Sequence, residues 1–184
     1  MKRIVLFFLV CSLSLAAAKS TVELDPARTK ISFTLADTLH TVHGSFKLKR
    51  GSLTLDSATG KAAGEIVVDV ASGDSGSGAR DKRMHEDILE SARYPEAVFT
   101  ADRVTGELAP SGESQLDVHG TFQIHGASHL MTFHFRAEVK AGEVVTSTGF
   151  VIPYVQWGMK KPSSFLLKVS DKVEMNVHAA GRLQ

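Results

Sequence analysis

The sequence predicts an all-β, mainly antiparallel domain, a barrel or a sandwich, that carries one short helix. Three observations predict it. Runs of alternating apolar and polar residues recur along the chain, separated by Gly, Asp, Ser and Pro turns. The stretch Gly73 to Thr100 breaks that pattern once, with a Gly/Ser loop, a helical spacing, Tyr94-Pro95 and a strand in succession. Around Gly126, two alternating runs face each other with matching apolar sides, as in a hairpin.

Taken in order, the first eighteen residues stand apart from the fold. Lys2 and Arg3 precede an apolar run from Ile4 to Leu15 and the small residues Ala16-Ala17-Ala18, the make-up of a secretory leader cleaved before Lys19. That run is shorter than the about 20 residues a retained membrane helix needs. One mature domain over 19–184 is therefore expected, periplasmic or secreted, with no stable membrane anchor. Cys11 is the only cysteine and leaves with the leader, so stability has to come from a hydrophobic core. Without Lys2 and Arg3, 19 basic residues stand against 20 acidic ones, a balance that argues against nucleic acid as a partner.

Candidate strands run over 31–36, 45–55, 64–70, 97–104, 115–125, 130–140, 144–152 and 165–178. In the third, Ile66, Val68 and Val70 share one face and Glu65, Val67 and Asp69 the other, so one side is buried. The helix is expected over about 80–92. Arg80, Met84, Asp87 or Ile88, and Ser91 recur at its period, Ile88, Leu89 and Ala92 widen the apolar stripe, and Pro95 forbids continuation. In the fifth strand, Leu116, Val118, Phe122 and Ile124 oppose Asp117, His119, Thr121 and Gln123. A two-residue type II′ turn at Gly126-Ala127 would pair Asp117 with Arg136, Phe122 with Met131 and His119 with His134, and would place Gly120 under Phe133.

These residues carry a resemblance to the YceI family, lipocalin-like exported proteins associated with polyisoprenoid lipids. It runs through Leu24-Asp25-Pro26, Phe33, Val42-His43-Gly44-Ser45-Phe46, Asp56, Arg80-Asp81, Leu89, Tyr94-Pro95, Phe99, Gly120 and Ile124-His125-Gly126. Trp157-Gly158-Met159 and Val169-Ser170-Asp171-Lys172-Val173 complete it. The chain departs from the family pattern at Arg28, at Leu35-Ala36 and over 127–131. The resemblance implies an eight-stranded lipocalin-like barrel with the Arg-Asp helix beside it and an apolar tunnel inside.

On that basis the expected function is an exported binding protein that transports or stores an isoprenoid-type lipid, a polyprenyl or quinone species. Phe33, Phe46, Val68, Phe99, Phe122, Phe133 and Met175 are the expected lining residues. Arg80, Asp81, Met84 and Leu89 form a lid or a brace. The alternation alone also allows a filled barrel, acting in a stress response or through the Tyr154 to Lys161 loop around Trp157, which also suits a second copy in a homodimer. Eight histidines raise a metal-binding alternative through His119 with His134, His40 with His43, or His125 with His129. His119 and His125 lie roughly 20 Å apart at about 3.3 Å per residue, too far to share an ion, and no HExxH set exists, so no metal or cofactor is assigned. No G-x-S-x-G elbow, phosphate loop or mature thiol points to an enzyme.

Overall fold

Residues 19–37, 40–162 and 168–184 are described by the computed structural model. The expected leader, and residues 165–167 of the last expected strand, lie outside them. The strands are β1 (Lys19–Leu24), β2 (Lys30–Ala36), β3 (Thr41–Asp56), β4 (Lys61–Asp74), β5 (Glu96–Thr105), β6 (Gly112–Ile124), β7 (Ala127–Lys140), β8 (Glu143–Ile152) and β9 (Val173–Leu183). They form one antiparallel sheet in the order β1-β3-β2-β9-β8-β7-β6-β5-β4, closed by pairing of β3 with β4.

β1 and β2 both lie between β3 and β9. They are two halves of one wall position, so nine strands make the expected eight-stranded barrel. Asp25-Pro26 causes the interruption. The Asp25 carboxylate accepts from the Ala27 amide at 2.9 Å, and Pro26 has no amide to give a ladder, so the chain makes one 3₁₀ turn. β1 was not foreseen; its alternation is short and ends in that turn.

The β6–β7 hairpin corrects the expected register. His125 (φ 51°) and Gly126 (φ 75°) are both left-handed, so the turn is of type I′ and sits one residue earlier than Gly126-Ala127. Asp117 now faces His134, Val118 faces Phe133, His119 faces Thr132, and Phe122 faces His129. Each partner moves by two residues, which preserves which face every side chain occupies. Gly120 lies across from Met131, and the ring covering it is that of Phe99 rather than Phe133.

The helical segment is also shorter and earlier than expected. A turn and a half of α-helix, α1 (Gly78–Arg83), runs into a π-helical turn over Met84–Ile88. Glu90 at φ 45° ends it before Ser91. On β4, Val67 is fully buried although it points outward. A bulge on β3 at Lys49 aims Arg50 and Lys49 across it, and they pair with Glu65 and Glu96 at 3.5 and 2.6 Å, so their stems roof the valine.

Two ends of the barrel differ. The lower end, where the turns 57–60, 106–111 and 141–142 lie, is filled by Leu53, Leu55, Val104, Leu116, Val118 and Val139, with Leu108 folded in as a plug. The upper end carries the helix and the loop after β8, and it is hollow.

Candidate functional site: an apolar cavity in the upper barrel

A cavity of about 570 Å³ occupies the upper half. It falls within the roughly 300–1,000 Å³ typical of small-molecule sites. Period-two alternation places its walls: on β4 the inward residues are Ile66, Val68 and Val70, on β9 they are Val173, Met175 and Val177. Phe33, Phe46, Val68, Phe99, Phe122, Phe133 and Met175 all face it. Phe133 organises the aromatic wall, meeting Phe99 edge-on at 4.7 Å between centroids and Phe150 at 4.7 Å.

From the helical segment, Arg80, Met84 and Leu89 reach the cavity, and Asp81 does not. Asp81 instead accepts from both the amide and the hydroxyl of Ser75, the residue that follows β4. Those hydrogen bonds, with Arg80 adjacent, hold its carboxyl below the usual carboxylate range. Arg80 grips the same serine, Nε donating to Oγ at 2.8 Å and Nη2 to the carbonyl oxygen at 3.1 Å. His85 is a further tie. A carbonyl can only accept, so Nε2 donates to Gly73 O (2.8 Å), and Nδ1 accepts from the buried Ser91 hydroxyl (3.1 Å). Asp81 and His85, one helical turn apart, thus hold two separate anchors at the end of β4.

Among the described residues, the wall breaks between β7 and β8. β7 and β8 share rungs only from Lys140↔Glu143 to Arg136↔Ser147. Above that, β8 stays with β9 up to Ile152↔Val173 and β7 with β6 up to Ala127↔Ile124, so the two strands part. The segment after β8 fills the wedge. Trp157 stacks on His129 with ring centroids 3.7 Å apart and planes 10° from parallel, and approaches Phe122 at 6.2 Å. The amides of Trp157, Gly158 and Met159 donate to Pro153, Val155 and Tyr154, so none of the three donates to β7. Tyr154 is buried, donates to the Ser170 carbonyl at 2.6 Å, and has its pKa pushed by burial up to about 12. Trp157 thus seals a seam outside the cavity, while Tyr154 and Met159 line it.

Also lining the cavity, and unanticipated, are Thr146, Ser147 and Thr148 of β8. Their alternation reads as an ordinary polar strand. Only the parting of β7 brings Ser147, whose position faces outward, to the cavity's edge.

Two of the expected histidine pairs, His119 with His134 and His125 with His129, find other partners. His119 Nδ1 lies 2.7 Å from Asp102 and His134 Nδ1 2.6 Å from Asp117, on the outer wall. Asp102 is the bulged residue between Ala101 and Arg103, a feature no alternation announces. His129 lies under Trp157, and His125 packs on Tyr94 at 4.7 Å. Among the described residues, no group of three or more His, Cys, Asp or Glu is placed to hold a metal ion.

A profile of the YceI-like domain matches residues 23–180. This chain belongs to the YceI family. Curated relatives of this YceI-like chain include UPF0312 proteins of Pseudomonas putida. That of strain W619 is 36% identical over 95 residues, 50% of this chain and 47% of the relative. The chain thus matches about half the length of such relatives. Among solved structures, a polyisoprenoid binding domain from Saccharophagus degradans, implicated in plant cell wall breakdown, superposes with a TM-score of 0.70 at 19% identity. It covers 89% of this chain and 98% of that one. Burkholderia cenocepacia BcnA gives 0.68 at 19% identity, over 85% of this YceI-like chain and 98% of BcnA. At those identities the likeness is one of fold.

Proposed function

We propose that this YceI-like chain is an exported binding protein that holds an isoprenoid-type lipid in its upper cavity, for transport or storage, in the periplasm or outside the cell. The observation that carries the reading is the cavity itself, about 570 Å³ and walled by phenylalanine, methionine and aliphatic side chains over a packed lower core. Burying one five-carbon prenyl unit contributes up to roughly 4 kcal/mol at about 0.8 kcal/mol per carbon, of which association takes back a part. The Saccharophagus neighbour's description as a polyisoprenoid binding domain supports the choice of lipid. Lys2, Arg3, the apolar run and Ala16-Ala17-Ala18 support export.

The test is solvent extraction of protein purified without detergent, followed by mass spectrometry of the extract. One prenyl species per chain is expected, and it should be lost in Phe133→Ser. A wild-type protein that is empty and takes up no added prenyl lipid would leave the filled-barrel, partner-binding reading. N-terminal sequencing of the exported protein should begin at Lys19.

A further inference from the structure

We propose that the mouth of the cavity lies beside α1 and that Arg83, with Arg80, receives an anionic head there, a phosphate or diphosphate ester on the lipid. This rests on the lipid-binding reading and names the head that goes with the apolar tail.

Exposure locates the mouth. Of the described residues that line the cavity, those that are also exposed are Ala79, Arg80 and Arg83, all on α1. Position 83 is three and four residues from the other two, so they share one side of the helix, and Met84 beside them reaches the apolar interior. The opposite end of the barrel is packed, with Leu108 as its plug. A lipid therefore enters tail first and leaves its polar end at α1, where the head keeps part of its water.

That end offers positive charge with unused donors. Among the described residues, the charged groups lining the cavity are the two guanidiniums and one carboxylate, Asp37, which accepts from the His40 amide at 2.7 Å. Asp81 is turned to Ser75 instead and does not line the cavity. Arg80 spends Nε and Nη2 on Ser75, which holds its guanidinium at the rim and leaves Nη1 unused. Arg83 makes no ion pair or side-chain hydrogen bond among the described residues. The Ser77 hydroxyl, which lines the same rim, caps no amide of the helix. Two like charges one helical turn apart repel, and an oxyanion between them removes that repulsion while accepting from both forks. A neutral alcohol or quinone draws nothing from either charge. Because both guanidiniums face solvent, the gain is tenfold in scale rather than thousandfold.

The experiment uses delipidated full-length protein and two probes of equal chain length, geranylgeranyl monophosphate and geranylgeraniol. Dissociation constants are measured for wild type, Arg83→Met, Arg83→Lys and Lys82→Met. Lys82 is exposed on α1 and does not line the cavity, so its substitution removes the same charge away from the mouth. Wild type should bind the phosphate more tightly than the alcohol, and added salt should narrow that difference. Arg83→Met should lower the phosphate-to-alcohol affinity ratio about tenfold. Its alcohol affinity should stay at the wild-type value, which also checks that the variant is folded. Arg83→Lys should keep most of the ratio, and Lys82→Met should change it by less than about twofold. A ratio unchanged in Arg83→Met, or lowered as far by Lys82→Met, would overturn the head site and leave lipid binding standing. Tighter binding of the alcohol than of the phosphate by wild type would also overturn it, in favour of a neutral head. Failure of wild type to bind either probe would overturn the lipid reading and the head site with it.

Discussion

A Cβ at Gly120 would lie 2.2 Å from the Thr100 carbonyl oxygen and 2.8 Å from the Phe99 ring. The first contact is backbone in the neighbouring strand and cannot swing away, so Gly120→Ala has to push β5 from β6. A cost of about 2 kcal/mol is expected, a fall of roughly 4–8 °C in Tm, measured by thermal melts. Tyr154→Phe removes the donor to the Ser170 carbonyl and should cost about 1–2 kcal/mol. In a spectrophotometric titration, the same change should remove the tyrosine transition near pH 12. At this scale the sequence was readable where alternation decides. The seven inward-facing candidates could be named because a two-residue error in register leaves faces intact. The place of Ser147 at the cavity's edge was not readable, because it depends on where another strand stops pairing.

At the scale of elements, the helical segment is tied to the end of β4 by Asp81, Arg80 and His85, all acting on Gly73 or Ser75. Asp81 titrates lower in the folded chain than in the unfolded one, whose ordinary value is 3.8. Its contribution is therefore complete above that value and is lost as pH falls through the depressed folded one. Asp81→Asn should lower Tm at pH 7, and the gap from wild type should close on acidification below about pH 3.8. His129 has the same sign with a different cause. Burial under Trp157 holds its imidazole pKa below 6.5, so the unfolded chain takes up the proton first and stability falls as pH drops below 6.5. Trp157 is the only tryptophan, so its fluorescence reports on this seat alone. Emission should shift red as pH falls below 6.5 and through the depressed folded value, and His129→Phe should flatten that response. The two prolines and Gly158 of this loop announce a turn, but nothing in them tells that the turn will stand in for missing ladder rungs.

The whole molecule is a barrel packed below and hollow above. The same alternation of apolar and polar residues writes both halves, which is why alternation alone left both a filled and an open interior allowed. The difference lies in shape. Leu108 enters the lower end from a loop, whereas the upper end is spanned from outside by Met84 and Leu89. A lipid that binds only the folded chain should raise Tm by roughly 5–10 °C at a hundredfold excess over its Kd, from about 2.7 kcal/mol of linkage. Differential scanning calorimetry with added prenyl alcohol measures it.

The parting of β7 from β8 also bears on how many ligands one such chain can serve. A cylinder closed by ladder hydrogen bonds all round has a fixed girth, and a bulkier guest has to tear rungs to fit. Here the circumference includes one span, from His129 through Trp157 to Ile152, bridged by side-chain contact rather than by rungs between β7 and β8. That span can widen or narrow while every rung between β7 and β8 stays made. A change of girth there would fall on the stack of indole and imidazole and not on a rung between β7 and β8.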